Sequence, residues 1–189
     1  MSHISLLAKS SNAIYINNLM FRAAYQLAEF AHKGQWRKDG TAAISHPEEV
    51  VDTLIQHGIF DSIILCIGLL HDSIKDNQIE KENLVLKIKN DLDIDVLKNV
   101  LLFADDMELS SAERKQHQYI KFENAPRAVR IVKLADLISN CSSLPPQWSA
   151  EKIKNRYEHC LRMMHVLRGT HVDSENALNR AITKTFIEK

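Results

Sequence analysis

Residues 63–70, IILCIGLL, are apolar without a break and run straight into His71-Asp72. No other stretch constrains the fold as much. A segment apolar on every side, yet far short of the ~20 residues that cross a bilayer, belongs in the middle of a helical bundle. The rest of the chain agrees with that. Apolar and polar residues nowhere alternate long enough to specify a strand. With 5 glycines and 4 prolines in 189 residues, glycine-rich phosphate loops are absent, with neither G-x-x-x-x-G-K nor G-x-G-x-x-G.

Helical spacing and cap residues predict the elements in order. A first helix covers about 14–33, with Leu19, Ala23, Leu27 and Phe30 on one face. The loop GQWRKDGTAAIS follows. A second helix starts near Pro47, carries Glu48 and Glu49 in its first turn, and ends near Gly58. The apolar helix spans about 61–75, followed by outer helices over about 80–90 and 93–104. Ser110 or Ser111 caps a helix to about 122, with Glu113 placed for a capping box. Pro126 opens a helix to about 141, SLPPQWS is a turn, and Ser149 caps an amphipathic helix to about 168. The last helix covers about 173–187. The expectation is one all-α domain, residues 1–189, a helical bundle built around the apolar helix.

The composition, 45% hydrophobic and 25% charged, lets such a chain bury a core without disulfides or structural metals. Cys66, Cys141 and Cys160 are far apart in sequence and show no C-x-x-C spacing, so they read as reduced core thiols of a cytoplasmic protein. A net charge of zero argues against nucleic acid as partner. The N-terminus lacks a signal-peptide pattern, and no membrane partner is expected.

A buried His-Asp pair is costly unless both groups are satisfied, and a divalent metal satisfies both. Two further candidates stand out. His46 lies on the corner made by Pro47, just before a helix. Asp136 shares a face of an otherwise apolar helix with Lys133 and Asn140. Taken singly, each has a plainer reading. His71-Asp72 could be a hydrogen-bonded pair, His46 a cap residue, and Asp136 one half of an ion pair with Lys133. His32 reads as a brace for the loop after the first helix, and the remaining histidines have no ligand partners at useful spacing.

The order H…HD…D on helices resembles the HD-domain metal-dependent phosphohydrolases. AHKGQWRKDG with ISHP, LLHDSIKD, ERK and VKLADLISN is similar to the hydrolase domain of the RelA/SpoT family. LPPQWSAEKIKNRYEHCLRMMHVLRGT resembles the C-terminal helices of its stand-alone members, the small alarmone hydrolases. The similarity runs over about residues 20–185. It implies hydrolysis of the 3′-pyrophosphate of (p)ppGpp to GDP or GTP and pyrophosphate. It also implies one Mn2+ per chain held by His46, His71, Asp72 and Asp136. Zn2+ or Fe2+ would accept the same donors. Arg37 and Lys38 match a pair that meets the nucleotide, and Asn140 a residue that meets the base edge. Lys133, Arg114 and Lys115 could add positive charge near the polyphosphate, and Ser143 could contact base or ribose. A homodimer is compatible with the resemblance.

One position departs from the family's H-D-x-x-E-D run. Asp76 keeps the aspartate, but Lys75 replaces the glutamate, the proposed acid/base or water-orienting group. Three readings follow. Asp76 suffices for the proton while Lys75 clamps phosphate. Or the substrate is another nucleotide, such as an adenine alarmone or the 2′-phosphate of NADPH. Or the domain binds nucleotide with impaired turnover. Retention of the whole metal set favours activity. Alanines in TAAISHP also leave a roomier pocket, and Leu137 removes a basic residue after K-L-A-D.

Overall fold

Five of the described helices start at a residue whose side chain caps them. The computed structural model describes residues 19–75, 80–142, 144, 145 and 147–188. Among them the helices are α1 (Leu19–Ala31), α2 (Ser45–Gln56), α3 (Ser62–Leu70), α4 (Lys81–Asp91), α5 (Ile94–Leu101), α6 (Ser111–Glu123), α7 (Arg127–Ser142), α8 (Ala150–Val166) and α9 (Val172–Phe186). No strand forms among these residues, only an isolated antiparallel bridge between Trp36 and Ala42. The all-α expectation holds. None of the described helices is long and apolar enough to cross a membrane.

Ser110 and Glu113 complete the capping box at α6, and Ser149 accepts from the Lys152 amide at α8. Asp61 does the same for Ile64 at α3, and Asp93 for Asp95 at α5. Each satisfies an amide that the first turn leaves without a helical partner. At α9 the cap is His171, whose ring accepts from the Ser174 amide. Composition gives little warning of that, since histidine is an uncommon cap.

Several boundaries differ from the sequence reading: α1 ends at Ala31 rather than about 33 and α5 at Leu101 rather than about 104, and two further differences bear on the site. α2 begins at Ser45, so His46 lies inside its first turn rather than before it. The turn bonds Ser45 N–Ala42 O (3.0 Å) and His46 N–Ala43 O (3.2 Å) lead directly into the helix. α3 stops at Leu70, and residues 71–75 form turns instead of a further helical turn. Polar residues crowd this end, and the His71 ring takes a carbonyl of the last turn as its partner. Residues 14–18 of the expected first helix lie outside the described residues.

The chain forms two compact units, Met1–Ala104 and Asp105–Lys189. In the first, α3 packs against α1, α2 and α5. Leu65, Cys66, Ile67, Leu69 and Leu70 are all buried, as an all-round apolar helix requires. At Gly68 the side chains of α2 come close. A Cβ there would meet Leu54 Cδ1 at 3.0 Å and Val51 Cγ2 at 3.4 Å. The start of α2 is pinned to α1 by Tyr25, whose hydroxyl donates to buried Glu48 at 2.7 Å. Burial and that carboxylate both raise the Tyr25 pKa, which keeps the phenol protonated.

In the second unit α9 packs on α7 and α8, and α6 on α8. The Tyr119 hydroxyl meets His159 Nδ1 at 2.9 Å inside this core. Burial, with Lys133, Arg156 and Lys115 adding to it, pushes the His159 pKa down to about 3. The ring is therefore neutral when folded.

Two outcomes follow from this packing. Gly68→Val forces methyls into Leu54 and Val51, and is expected to cost about 2 kcal/mol or more in urea unfolding. His159 makes the second unit acid-sensitive. The unfolded chain takes up a proton on it below its ordinary pKa of 6.5, so this share of stability is lost as pH falls from there towards 3. His159→Gln keeps a partner for Tyr119 and removes the proton uptake. Between pH 7 and 5 the variant is expected to lose up to about 2 kcal/mol less than wild type.

Candidate metal centre

The end of α3 sets the geometry. His71 stands at its C-terminus, where the last carbonyls have no amide partner within the helix. Its Nδ1–H donates to the Gly68 carbonyl at 2.8 Å. A carbonyl only accepts, so Nδ1 carries a hydrogen, and in the neutral ring Nε2 keeps its lone pair. A backbone carbonyl fixing the second nitrogen is the usual way a metal-ligating imidazole is oriented. The Phe103 ring meets the imidazole edge-on, 5.5 Å between centroids.

Asp72 Oδ2 lies 3.3 Å from His71 Nε2 and 3.6 Å from His46 Nε2. The two imidazoles meet at a centroid distance of 5.2 Å and an interplanar angle of 68°. The other oxygen, Oδ1, faces Lys75 Nζ at 3.6 Å. Burial pushes the Asp72 carboxyl up, but His71, Lys75 and His46 together outweigh it and hold it well below the usual carboxylate range. The group is a carboxylate at neutral pH. The sequence placed Lys75 one helical turn beyond His71. In the structure residues 71–75 are turn, and Lys75 pairs with Asp72, three residues before it.

One ligand atom from each of His46, His71 and Asp72 lies within 4.8 Å of the others. Neighbouring ligands about 2.1 Å from one ion lie roughly 3 Å apart, so small inward shifts would let these atoms share a cation. Two imidazoles and a carboxylate suit a first-row divalent metal. The tautomer of His71 and the ionised state of Asp72 are both what coordination needs.

The remaining predicted residues fall in two places. Arg37, in the first unit, presents Nη1 to Glu49 Oε2 at 3.0 Å and Oε1 at 3.1 Å. A tight turn fixes its backbone, with Arg37 N bonded to Thr41 O at 2.8 Å and Gly40 N to Arg37 O at 3.1 Å. Lys38 is exposed on the same turn. His32 braces this loop, its Nδ1 3.0 Å from Gln35 Oε1. From its place in the first turn Glu49 is expected only to favour the helix dipole, and its partnership with Arg37 depends on how the loop folds back.

In the second unit Lys133, Asp136 and Asn140 do share a face of α7. Lys133 Nζ reaches Asp136 Oδ2 at 2.8 Å, and the Asn140 amide donates to Oδ1. The ion pair expected as one reading of Asp136 is thus present. Asp76 and Ser143 lie outside the described residues.

No protein-family model matches the chain. Over 165 residues it is 31% identical to guanosine-3′,5′-bis(diphosphate) 3′-pyrophosphohydrolase MESH1 of Mus musculus, covering 82% of this chain and 90% of that protein. The Xenopus tropicalis protein of the same name is 32% identical over 168 residues, 85% and 91% of the two chains. A solved structure of a metazoan ortholog of SpoT, described as hydrolysing ppGpp, aligns with a TM-score of 0.79 at 24% identity. That alignment covers 89% of this chain and 96% of that one, and it shows the same fold.

Metal binding gives this cluster a direct check. A divalent metal ion added to chelator-stripped protein at a hundred times its Kd is expected to stabilise by about 2.7 kcal/mol, a rise in Tm of roughly 5–10 °C. Asp72→Ala is expected to abolish the rise. A rise of equal size in that variant would move the ion elsewhere.

Proposed function

Because the chain belongs to the family of guanosine-3′,5′-bis(diphosphate) 3′-pyrophosphohydrolases typified by MESH1, we propose that it hydrolyses the 3′-pyrophosphate of (p)ppGpp, releasing pyrophosphate and GDP or GTP. The observation that carries this is the convergence of His46, His71 and Asp72. The relatives align across both units, which supports reading residues 1–189 as one hydrolase domain. It acts in the cytoplasm on a free nucleotide, without nucleic acid or membrane as partner. A homodimer is compatible with it.

The ion is one Mn2+ per chain. When bound it supplies a water of lowered pKa and polarises a phosphoryl oxygen. His46 Nε2, His71 Nε2 and Asp72 Oδ2 would hold it. Asp136 joins them on the resemblance alone, and this would require its carboxylate to be shared with Lys133 and Asn140.

Asp76 handles the proton. Lys75 stays close to the reacting phosphate because Asp72 anchors its ammonium, and a lysine there binds phosphate as a point charge. Arg37 meets the nucleotide with its guanidinium steadied by Glu49. Lys38 and Lys133 add positive charge, Asn140 reads the base edge, and Ser143 contacts base or ribose.

The test is turnover of ppGpp, pppGpp, ppApp and NADPH by chelator-stripped protein with and without Mn2+, followed by ion-exchange chromatography. Pyrophosphate release from ppGpp, dependent on Mn2+ and on Asp72, is expected. Release of single phosphate, or turnover of a non-guanine substrate alone, would overturn the substrate assignment. Lys75→Met removes the charge and keeps the chain length. Losing a charge-assisted phosphate contact of about 1.5 kcal/mol should raise KM for ppGpp roughly tenfold with kcat little changed. A rise in kcat would instead mark Lys75 as an impediment.

A further inference from the structure

The three thiols differ in their surroundings. Cys66, within α3, is buried, and burial pushes its thiol up to about 12, where it is a poor nucleophile. Cys141, in the last turn of α7, and Cys160, within α8, face each other with their sulfurs 3.2 Å apart. Both are fully buried. Either thiol can donate in this contact. With Cys141 donating, the bond pushes the Cys141 thiol up and pulls the Cys160 thiol down, and Arg156 and Lys133 favour the Cys160 thiolate further against burial and the charge of Asp136. The Thr185 hydroxyl donates to the Cys141 carbonyl at 2.6 Å and holds that backbone in place.

We propose that Cys141 and Cys160 are a modification site: in the presence of a hydroperoxide they form a reversible disulfide that ties α7 to α8. The Cys160 thiolate attacks one peroxide oxygen. The O–O bond breaks, hydroxide leaves, and Cys160 becomes a sulfenic acid. The Cys141 sulfur then attacks the Cys160 sulfur. The S–O bond breaks, and water leaves with the Cys141 proton. Two thiols lose two electrons in all, and the peroxide is reduced to two waters. The sulfurs need to close by only about 1 Å to reach a bond of about 2.05 Å. Hydrogen peroxide is small enough to enter this core through its local opening motions.

The position of the pair gives the bond a consequence. Cys141 follows Asn140, whose amide holds Asp136 on the same helix. A cross-link at this end of α7 would stiffen the segment that presents Lys133, Asp136 and Asn140.

The test treats the intact wild-type chain with hydrogen peroxide at neutral pH, alkylates it in denaturant, and maps it by mass spectrometry. Loss of two hydrogens, a Cys141–Cys160 peptide link, and alkylation of Cys66 alone are expected, with all three thiols restored by dithiothreitol. Closing this loop should raise the unfolding midpoint by about 5 °C, and Cys141→Ser should abolish both the link and the rise. Three thiols still free after peroxide would overturn the proposal. So would oxidation of single cysteines, Cys66 included, without the link.

Discussion

A helix apolar on every side can carry polar chemistry only at its ends. α3 is buried among α1, α2 and α5, and its first polar side chains after the apolar run are those of His71 and Asp72. Gly68 does two things there. Its missing side chain leaves room for Leu54 and Val51 of α2, and its carbonyl orients His71. The close packing of α2 then brings His46 to the same carboxylate. The geometry of the His46, His71 and Asp72 cluster is in this sense a by-product of packing around one glycine.

Asp72 is the electrostatic centre of that corner. Two imidazoles face one of its oxygens and an ammonium faces the other. Desolvation alone would favour the neutral acid, and the neighbouring His71, Lys75 and His46 reverse that preference. Lys75 is therefore more than a lost glutamate. It belongs to the balance that keeps Asp72 ionised. A divalent ion and Lys75 would both draw on the same carboxylate, through different oxygens.

Much of this was legible in the residues. The all-round apolar run gave α3 its central place in the first unit, and Ser110, Glu113 and Ser149 gave the starts of α6 and α8. The His-Asp pair and the HP step gave three donors of one cluster, because side-chain chemistry and helix ends are local properties. What was not legible depends on chain reversal. The stop of α3 at Leu70 goes with the bond of the His71 ring back to the Gly68 carbonyl, which apolar periodicity does not show. The pairing of Arg37 with Glu49 needs the loop to fold back over α2. The contact of Cys141 with Cys160 joins residues on different helices, and neither lies in a thiol motif. Histidine as the cap of α9 runs against residue preference and is seen only in the ring's bond to Ser174.

The most direct measurement is anomalous diffraction at the manganese edge from crystals grown with Mn2+. The expected result is one strong peak about 2.2 Å from His46 Nε2, His71 Nε2 and an Asp72 oxygen, with Lys75 still beside Asp72. A peak held by other residues, or none in that corner at saturating Mn2+, would contradict the account.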